Sequence, residues 1–362
     1  MKKTEKISLL LIGPLPPPVG GTTVSFKELV DSLLSMHVQS VYVVDTARQK
    51  QKRLLGRLFF LSKMISRIFW LVPQVDVVGL HASQSSTLFM GVLLRAYSKL
   101  FGKPLIYRGF GGNLDIYYES LPLMLKYAFK KSVLSSDRVL LQTKHLVVKF
   151  NAICENVVWY PNSRKNLNEH YFHVTEKDIL SLGLRCVFLG HIKPSKGVYE
   201  IIDSVKQIEK EIDQKIIIDF YGPLLEGVTI DDFCHPNIAY KGALQPSEVA
   251  QTISSYDVLL LPSYYSGEGY PGVILEAYSV GVPVIATKWR FIPEIVDQTC
   301  GILVEPKSSN DIRDAIICLV EDPGLLKNLK LGAKKKAEEF DSIEMTKMYL
   351  EIVKSVSSKQ LI

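Results

Sequence analysis

Short apolar strands alternate with helical patterns along nearly the whole chain, and this constrains the fold more than any other feature. Ile7–Ile12, Ser40–Val44, Val75–Leu80, Pro104–Arg108, Arg138–Gln142 and Val157–Tyr160 read as strands in the first half. Cys186–Leu189, Lys215–Tyr221, Asn237–Tyr240, Val258–Leu261 and Val284–Ala286 read so in the second. Strands without polar alternation, separated by helices, are those of parallel sheets buried on both faces. Phe26, Leu29, Val30, Leu33 and Leu34 fall at helical spacing and predict an apolar helix face between the first two strands. The expected fold class is α/β, with two doubly wound parallel-sheet, Rossmann-like domains. The polar, irregular stretch from Pro161 to Leu184 reads as their connection. Residues 1–165 form one expected domain and 166–342 the other.

The 362 residues exceed one small core and suit two domains. The start, Met1-Lys2-Lys3-Thr4-Glu5-Lys6 followed by Ile7–Ile12, imitates a secretion signal. Its apolar run is short and enters Gly13-Pro14-Leu15-Pro16-Pro17-Pro18, so a first strand is expected instead. No apolar run approaches the roughly 20 residues of a membrane-spanning helix. Cys154, Cys186, Cys234, Cys300 and Cys318 are odd in number and widely spaced, with no C-x-x-C or Cys/His cluster. That argues against a disulfide framework or zinc site and for a reducing cytosol.

Charge is divided unevenly. Residues 1–165 carry 23 Lys/Arg and 9 Asp/Glu, whereas residues 166–362 carry 20 and 28. The basic half is expected to face an anionic partner. Within it, Lys52 to Leu71 holds five cations and no acid. On a helix Lys52, Arg53, Arg57, Lys63 and Arg67 fall within about 140° of arc. Leu54, Leu55, Leu58, Leu61, Ile65, Ile68 and Phe69 lie mainly opposite, with Phe60 and Trp70 on or beside the charged side. Two readings fit: a helix in an anionic membrane surface, with Lys126, Lys130 and Lys131 in the same patch, or a sheet-covering helix with a solvated face. No nucleic-acid reader motif occurs, so a nucleic-acid partner is not expected.

Three loops carry candidate chemistry. After the first strand come Gly20 and Gly21, where backbone can approach a ligand and a helix start offers N–H groups to an anion. A tight turn stiffened by proline is the alternative, and the dinucleotide G-x-G-x-x-G spacing is absent. Past the strand ending at Leu189 lies Gly190-His191-Ile192-Lys193-Pro194-Ser195-Lys196-Gly197. His191, Lys193 and Lys196 suit a diphosphate, or form a solvated basic loop. The third runs from Pro262 to Ala277 and holds Glu268 and Glu276, eight residues apart. Glu268 falls in a Gly-rich turn. Glu276 falls in the following helix, whose Gly272 and Val273 amides suit a phosphate while a carboxylate suits ribose hydroxyls. The alternative is a capping glutamate and a surface glutamate.

Together these residues resemble glycosyltransferase family 4, of the GT-B fold. The resemblance is clearest from Val187 to Pro306, where Gly242-Ala243-Leu244, Glu248, Tyr256-Asp257-Val258, the Glu268/Glu276 pair, Gly281 to Thr287, Pro293-Glu294 and Gly301-Ile302-Leu303-Val304 follow in the family's order. Tyr160-Pro161-Asn162 resembles the family's domain connection. The resemblance implies a nucleotide-diphospho-sugar donor between two domains, transfer with retention, and a lipid-linked or polysaccharide acceptor at the cytoplasmic face of the membrane. By the same resemblance Glu276 binds ribose, Glu268 binds the donor sugar or stands at the reaction centre, and Lys196 holds the diphosphate. Gly20 and Gly21 approach phosphate and sugar, and a last helix over about 343–358 returns to the first domain. Met345, Met348, Tyr349, Ile352, Val353 and Val356 give that helix an apolar face.

The chain departs from the family in three places. His191 stands where arginine is usual, with Lys193 a possible substitute. Trp289-Arg290-Phe291 replaces a glycine pair. The expected histidine after the fourth strand is absent, leaving Arg108 and Asn113 as candidate contacts. No Asp-x-Asp occurs, so no metal and no cofactor beyond the donor is expected. A nucleotide-sugar epimerase and a non-catalytic sugar-binding subunit are the competing readings.

Overall fold

The computed structural model describes residues 7–36, 38, 40–47, 54–171 and 183–357. In the first part β1 (Leu9–Gly13) leads to α1 (Gly21–Ser35), β2 (Val41–Asp45), α2 (Leu54–Leu71) and β3 (Val77–Ser83). Then come α3 (Gln84–Leu100), β4 (Leu105–Phe110), α4 (Leu114–Ser120), α5 (Leu123–Lys131), β5 (Arg138–Leu141), α6 (Lys144–Asn151) and β6 (Val157–Trp159). After a helical turn at Asn168–Tyr171 follow β7 (Leu184–Leu189), α7 (Val198–Ile208), β8 (Ile216–Tyr221), β9 (Ile238–Tyr240), α8 (Val249–Ser254) and β10 (Val258–Leu261). The chain closes with α9 (Gly272–Ser279), β11 (Val284–Thr287), β12 (Gly301–Val304), α10 (Ser309–Glu321), α11 (Pro323–Glu339) and α12 (Ser342–Ser357). Two compact units result: residues up to Ser163 with those from Ser342 onward, and Arg164–Asp341.

Each unit contains a six-stranded parallel sheet, ordered β2-β1-β3-β4-β5-β6 in the first and β12-β11-β10-β7-β8-β9 in the second. The α/β class expected from the strand pattern is therefore found. In the first unit alternate strand residues divide cleanly between two cores. Leu10, Ile12, Val78, Leu80, Leu105 and Tyr107 pack with Met64, Ile68, Met90, Leu94, Phe129 and Phe150 from α2, α3, α5 and α6. Leu9, Leu11, Val77 and Ile106 face the other way, onto Phe26, Leu29 and Leu33 of α1 and Tyr349, Ile352 and Val353 of α12. Burying one Leu or Phe in either core is worth about 1.5–3 kcal/mol, and the period-two strand geometry assigns each residue its side.

Several expectations need correction. Leu34, expected on the buried face of α1, is 54% exposed. β12 was not among the expected strands, although its residues belong to the family-like run. In α2 Leu61 is exposed, whereas Phe60 packs partly against the core instead of flanking the cations. Lys52 and Arg53 lie outside the described residues. The exposed face of α2 carries Phe59, Lys63, Arg67 and Trp70, while Met64, Ile68 and Leu71 cover the sheet.

Candidate functional site

A parallel sheet binds ligands beyond its strand ends, where successive connections leave in opposite directions. In the second unit this switch lies between β7 and β10: the chain runs from β7 outward to β8 and β9, and from β10 outward to β11 and β12. The loops leaving these two strands are His191–Gly197 and Pro262–Pro271. They are knitted together, since Tyr264 N–H donates to Ser195 O at 2.9 Å. Gly197 adopts φ +77°, and a Cβ there would run into Pro262 O, so both backbone conformation and close approach require glycine.

Lys196 and Glu268 meet across these loops. The ammonium lies 2.5 Å from Glu268 Oε2, and Ser263 Oγ donates to the same oxygen at 2.5 Å. Glu268 is 7% exposed. Thr287, at the end of β11, donates its hydroxyl to Ser263 O at 2.5 Å and fixes the serine's loop. Lys193 and Lys196 both approach the Tyr265 ring, with Nζ 4.1 and 5.3 Å from its centroid. Lys193 also pairs with Glu226 at 3.1 Å. His191 is held below the usual imidazole pKa by burial and then by Lys196 and Lys193. At neutral pH it is therefore an uncharged hydrogen-bonding group beside two cations.

Glu276 is not part of that cluster. Its Oε1 accepts from Arg164 Nε at 2.8 Å. A Cβ on Gly272 would run into Arg164 Nη2. Arg164, a residue the sequence reading missed, thus joins the first turn of α9 to the carboxylate one turn further on. Its signal was a cation two residues past the Tyr160-Pro161-Asn162 turn. Gly272 and Val273 open α9, and no side chain caps that helix start. Trp289, where the family has glycine, donates its indole N–H to Tyr265 O at 2.8 Å.

In the first unit the corresponding switch lies between β1 and β3, and the loop leaving β1 carries Gly20 and Gly21. A Cβ at either position would meet nothing within 4 Å, and Gly20 has extended backbone that any residue adopts. The fold therefore does not itself require these glycines. Arg108 is only 2% exposed, stacks on Phe110 and Tyr160 at 4.7 and 4.5 Å, and donates to Pro161 O at 3.2 Å. These contacts all lie within the first unit. Asn113 is the N-cap residue of α4.

His81, on β3 beside Arg108 in the register, was also missed. It is 1% exposed, its Nε2 lies 3.3 Å from Tyr349 Oη, and its Nδ1 is buried with no hydrogen-bond partner among the described residues. Burial, and then Arg108, keep it uncharged well below the usual imidazole pKa.

Residues 183–322 match the family described as Glycosyl transferases group 1. An uncharacterized glycosyltransferase of Methanocaldococcus jannaschii is 29% identical over 224 residues, 59% of this chain and 58% of that one. The match to the first curated relatives thus spans about three-fifths of their length. An N,N'-diacetylbacillosaminyl-diphospho-undecaprenol alpha-1,3-N-acetylgalactosaminyltransferase of Campylobacter jejuni is 21% identical over 334 residues, 86% of this chain and 84% of that one. The Anabaena protein HepE, crystallised in complex with UDP, superposes with a TM-score of 0.71 at 16% identity, covering 96% of this chain and all of that one. This likeness shows the fold, which is that of GT-B glycosyltransferases.

Proposed function

We propose that the chain is a retaining glycosyltransferase that moves a sugar from a nucleotide-diphospho-sugar to a lipid-linked or polysaccharide acceptor. Residues 164–341 hold the donor in this reading, and the first unit supplies the acceptor side. The observation that carries it is the Lys196–Glu268 pair at the β7/β10 switch. The group 1 match over residues 183–322 covers the same loops. HepE was crystallised with UDP, and the C. jejuni relative is named for a diphospho-undecaprenol-linked substrate.

The chemistry follows from charge. As the anomeric carbon–oxygen bond breaks, negative charge grows on the leaving diphosphate. Lys196, with Lys193 beside it, and the free amides of Gly272 and Val273 are donors suited to that charge. Glu276 accepts ribose hydroxyls, with Arg164 holding its carboxylate in place. Glu268 orients Lys196 and contacts the donor sugar. His191, uncharged in the free protein, gains proton affinity beside a bound diphosphate. The acceptor oxygen bonds the anomeric carbon on the face the diphosphate leaves, and its proton passes to the departing phosphate oxygen. Retention of configuration follows, with no strong protein base needed. Gly20 and Gly21 leave room for phosphate and sugar from the first unit.

No metal enters this proposal: the charge of the donor's diphosphate is met by the chain's own cations, so transfer is expected to persist in excess EDTA. The location proposed is the cytoplasmic face of the membrane, reached through the exposed cations and aromatics of α2. A thermal-shift screen of UDP-, GDP- and ADP-sugars tests donor binding: a ligand at 100 times its Kd stabilises the fold by about 2.7 kcal/mol. No shift with any of them, and no release of nucleoside diphosphate with a glycolipid acceptor, would defeat the proposal.

A further inference from the structure

The helix layer over one sheet face of the first unit has an unusual outer surface. α2, α3, α5 and α6 contain ten Lys and Arg residues and no Asp or Glu. α4, whose Tyr118 contacts Phe129 of α5 and Phe150 of α6, adds Asp115 and Glu119 to the same layer, where they pair with Lys149 of α6 at 3.6 and 2.5 Å. The four acid-free helices cover one sheet face. All four feed the same core. Tyr97 of α3 meets Phe69 of α2 edge to face, with centroids 4.2 Å apart, and α3 packs against α5. The layer nevertheless turns large apolar side chains outward: Phe59 and Trp70 from α2, Phe89 and Leu100 from α3, and Val148 from α6 are each at least 66% exposed.

The apolar exposure peaks where α5 begins. Leu123 and Met124 are each 84% exposed, directly after Pro122, and Tyr127 is 66% exposed one turn later. Phe129 of the same helix is fully buried, so α5 is anchored from beneath while its first turn projects. Lys126 follows within the same turn, and Lys130 and Lys131 close the helix. Lys126 approaches the Tyr118 ring at 5.9 Å and Lys131 the Tyr127 ring at 5.8 Å. Two exposed apolar side chains at the start of a helix that continues with an exposed tyrosine and three lysines are poorly suited to water. They suit an interface whose outer layer is anionic and whose interior is hydrocarbon.

We propose that the α5 corner, with Leu123 and Met124 as inserted side chains and Lys126, Lys130 and Lys131 as headgroup contacts, docks the first unit on an anionic lipid bilayer. α2 and α3 contribute further cations and aromatics to the same surface. The inference deepens the membrane location proposed above and moves its principal anchor from α2 to α5. It does not depend on sugar transfer.

Co-sedimentation of the full chain with phosphatidylcholine vesicles, with and without phosphatidylglycerol, tests it. Binding is expected only with the anionic lipid, and it should weaken as salt rises. Leu123→Asp/Met124→Asp should bind at least ten-fold more weakly, as should Lys130→Glu/Lys131→Glu. Trp70→Asp should lose less than three-fold. Thermal unfolding midpoints like that of the unmodified chain exclude misfolding as the cause. Absence of binding to anionic vesicles, equal binding to neutral ones, or unchanged binding by both double variants would overturn the proposal. A chain that binds vesicles but releases no nucleoside diphosphate from any donor would leave this docking intact and refute only the transferase reading.

Discussion

The Lys196 ammonium stands 2.5 Å from Glu268, and the two residues follow strands from which the chain runs outward in opposite directions across the sheet. Each neutralises the other in the free protein, so an arriving diphosphate must draw Lys196 partly away. Lys196→Ala is expected to lower transfer by about 100-fold or more, the cost of removing one donor to developing negative charge. Glu268→Ala is expected to abolish transfer too, and to lower stability by about 1–3 kcal/mol because Ser263 Oγ and Lys196 lose a shared, buried acceptor. Steady-state kinetics alongside denaturant unfolding separate the effects. Near-normal turnover in both variants would remove these residues from the reaction.

Arg164 and Glu276 offer a second test. A methyl group on Gly272 collides with the far end of the Arg164 side chain, which is buried and paired with Glu276 at 2.8 Å. Gly272→Ala should therefore cost about 1–3 kcal/mol for the displaced charge-assisted hydrogen bond, offset in part by alanine's helix propensity. It should displace the guanidinium from Glu276 and raise the donor KM at least ten-fold. Titration of nucleoside diphosphate by calorimetry checks this, and unchanged affinity would show that the pair does not shape the nucleotide site.

The strand pattern was legible because continuous apolar runs have one explanation in an alternating chain. The separate strands and the α1 face at Phe26, Leu29, Val30 and Leu33 emerged from that rule alone. β12 (Gly301–Val304) was passed over although it is as long as β10, which the same rule found. Leu34 escaped because one exposed leucine at the margin of an apolar arc looks like a buried one. Lys196 and Glu268 were legible as site candidates through the resemblance, while their mutual contact was not. Arg164 was invisible for a different reason: its partner lies 112 residues away, and no local periodicity reports such a pairing. His81 was hidden inside an apolar strand, where only the register with Arg108 reveals its surroundings.

His81 gives the fold a specific acid sensitivity. Arg108 lies beside it on β4, Tyr349 Oη meets its Nε2, and Phe26 and Phe110 flank its ring. Its folded-state pKa lies well below the ordinary 6.5, so the unfolded chain binds the proton more readily. Stability is then fully present above about pH 6.5 and declines as the pH falls below it, by at most about 1.4 kcal/mol per pH unit from this one group. Denaturant midpoints measured from pH 7.5 to 5 should fall more steeply for the unmodified chain than for His81→Phe. Parallel curves would mean that His81 does not titrate differently on folding.

Gly20 isolates what the first unit contributes. Its backbone is extended at φ −171°, and a Cβ there meets nothing within 4 Å. Neither strain nor packing therefore opposes a side chain at this position, in contrast to Gly197. Gly20→Val should leave the thermal midpoint essentially unchanged, within about 0.5 kcal/mol of stability, as for a surface substitution. If the loop after β1 must lie against phosphate and sugar, the isopropyl group occupies that space and transfer falls at least 30-fold. Nucleoside diphosphate binding, assigned to the second unit, should change less than transfer does. Full transfer activity in Gly20→Val would show that the glycine loop only turns the chain and takes no part in the reaction.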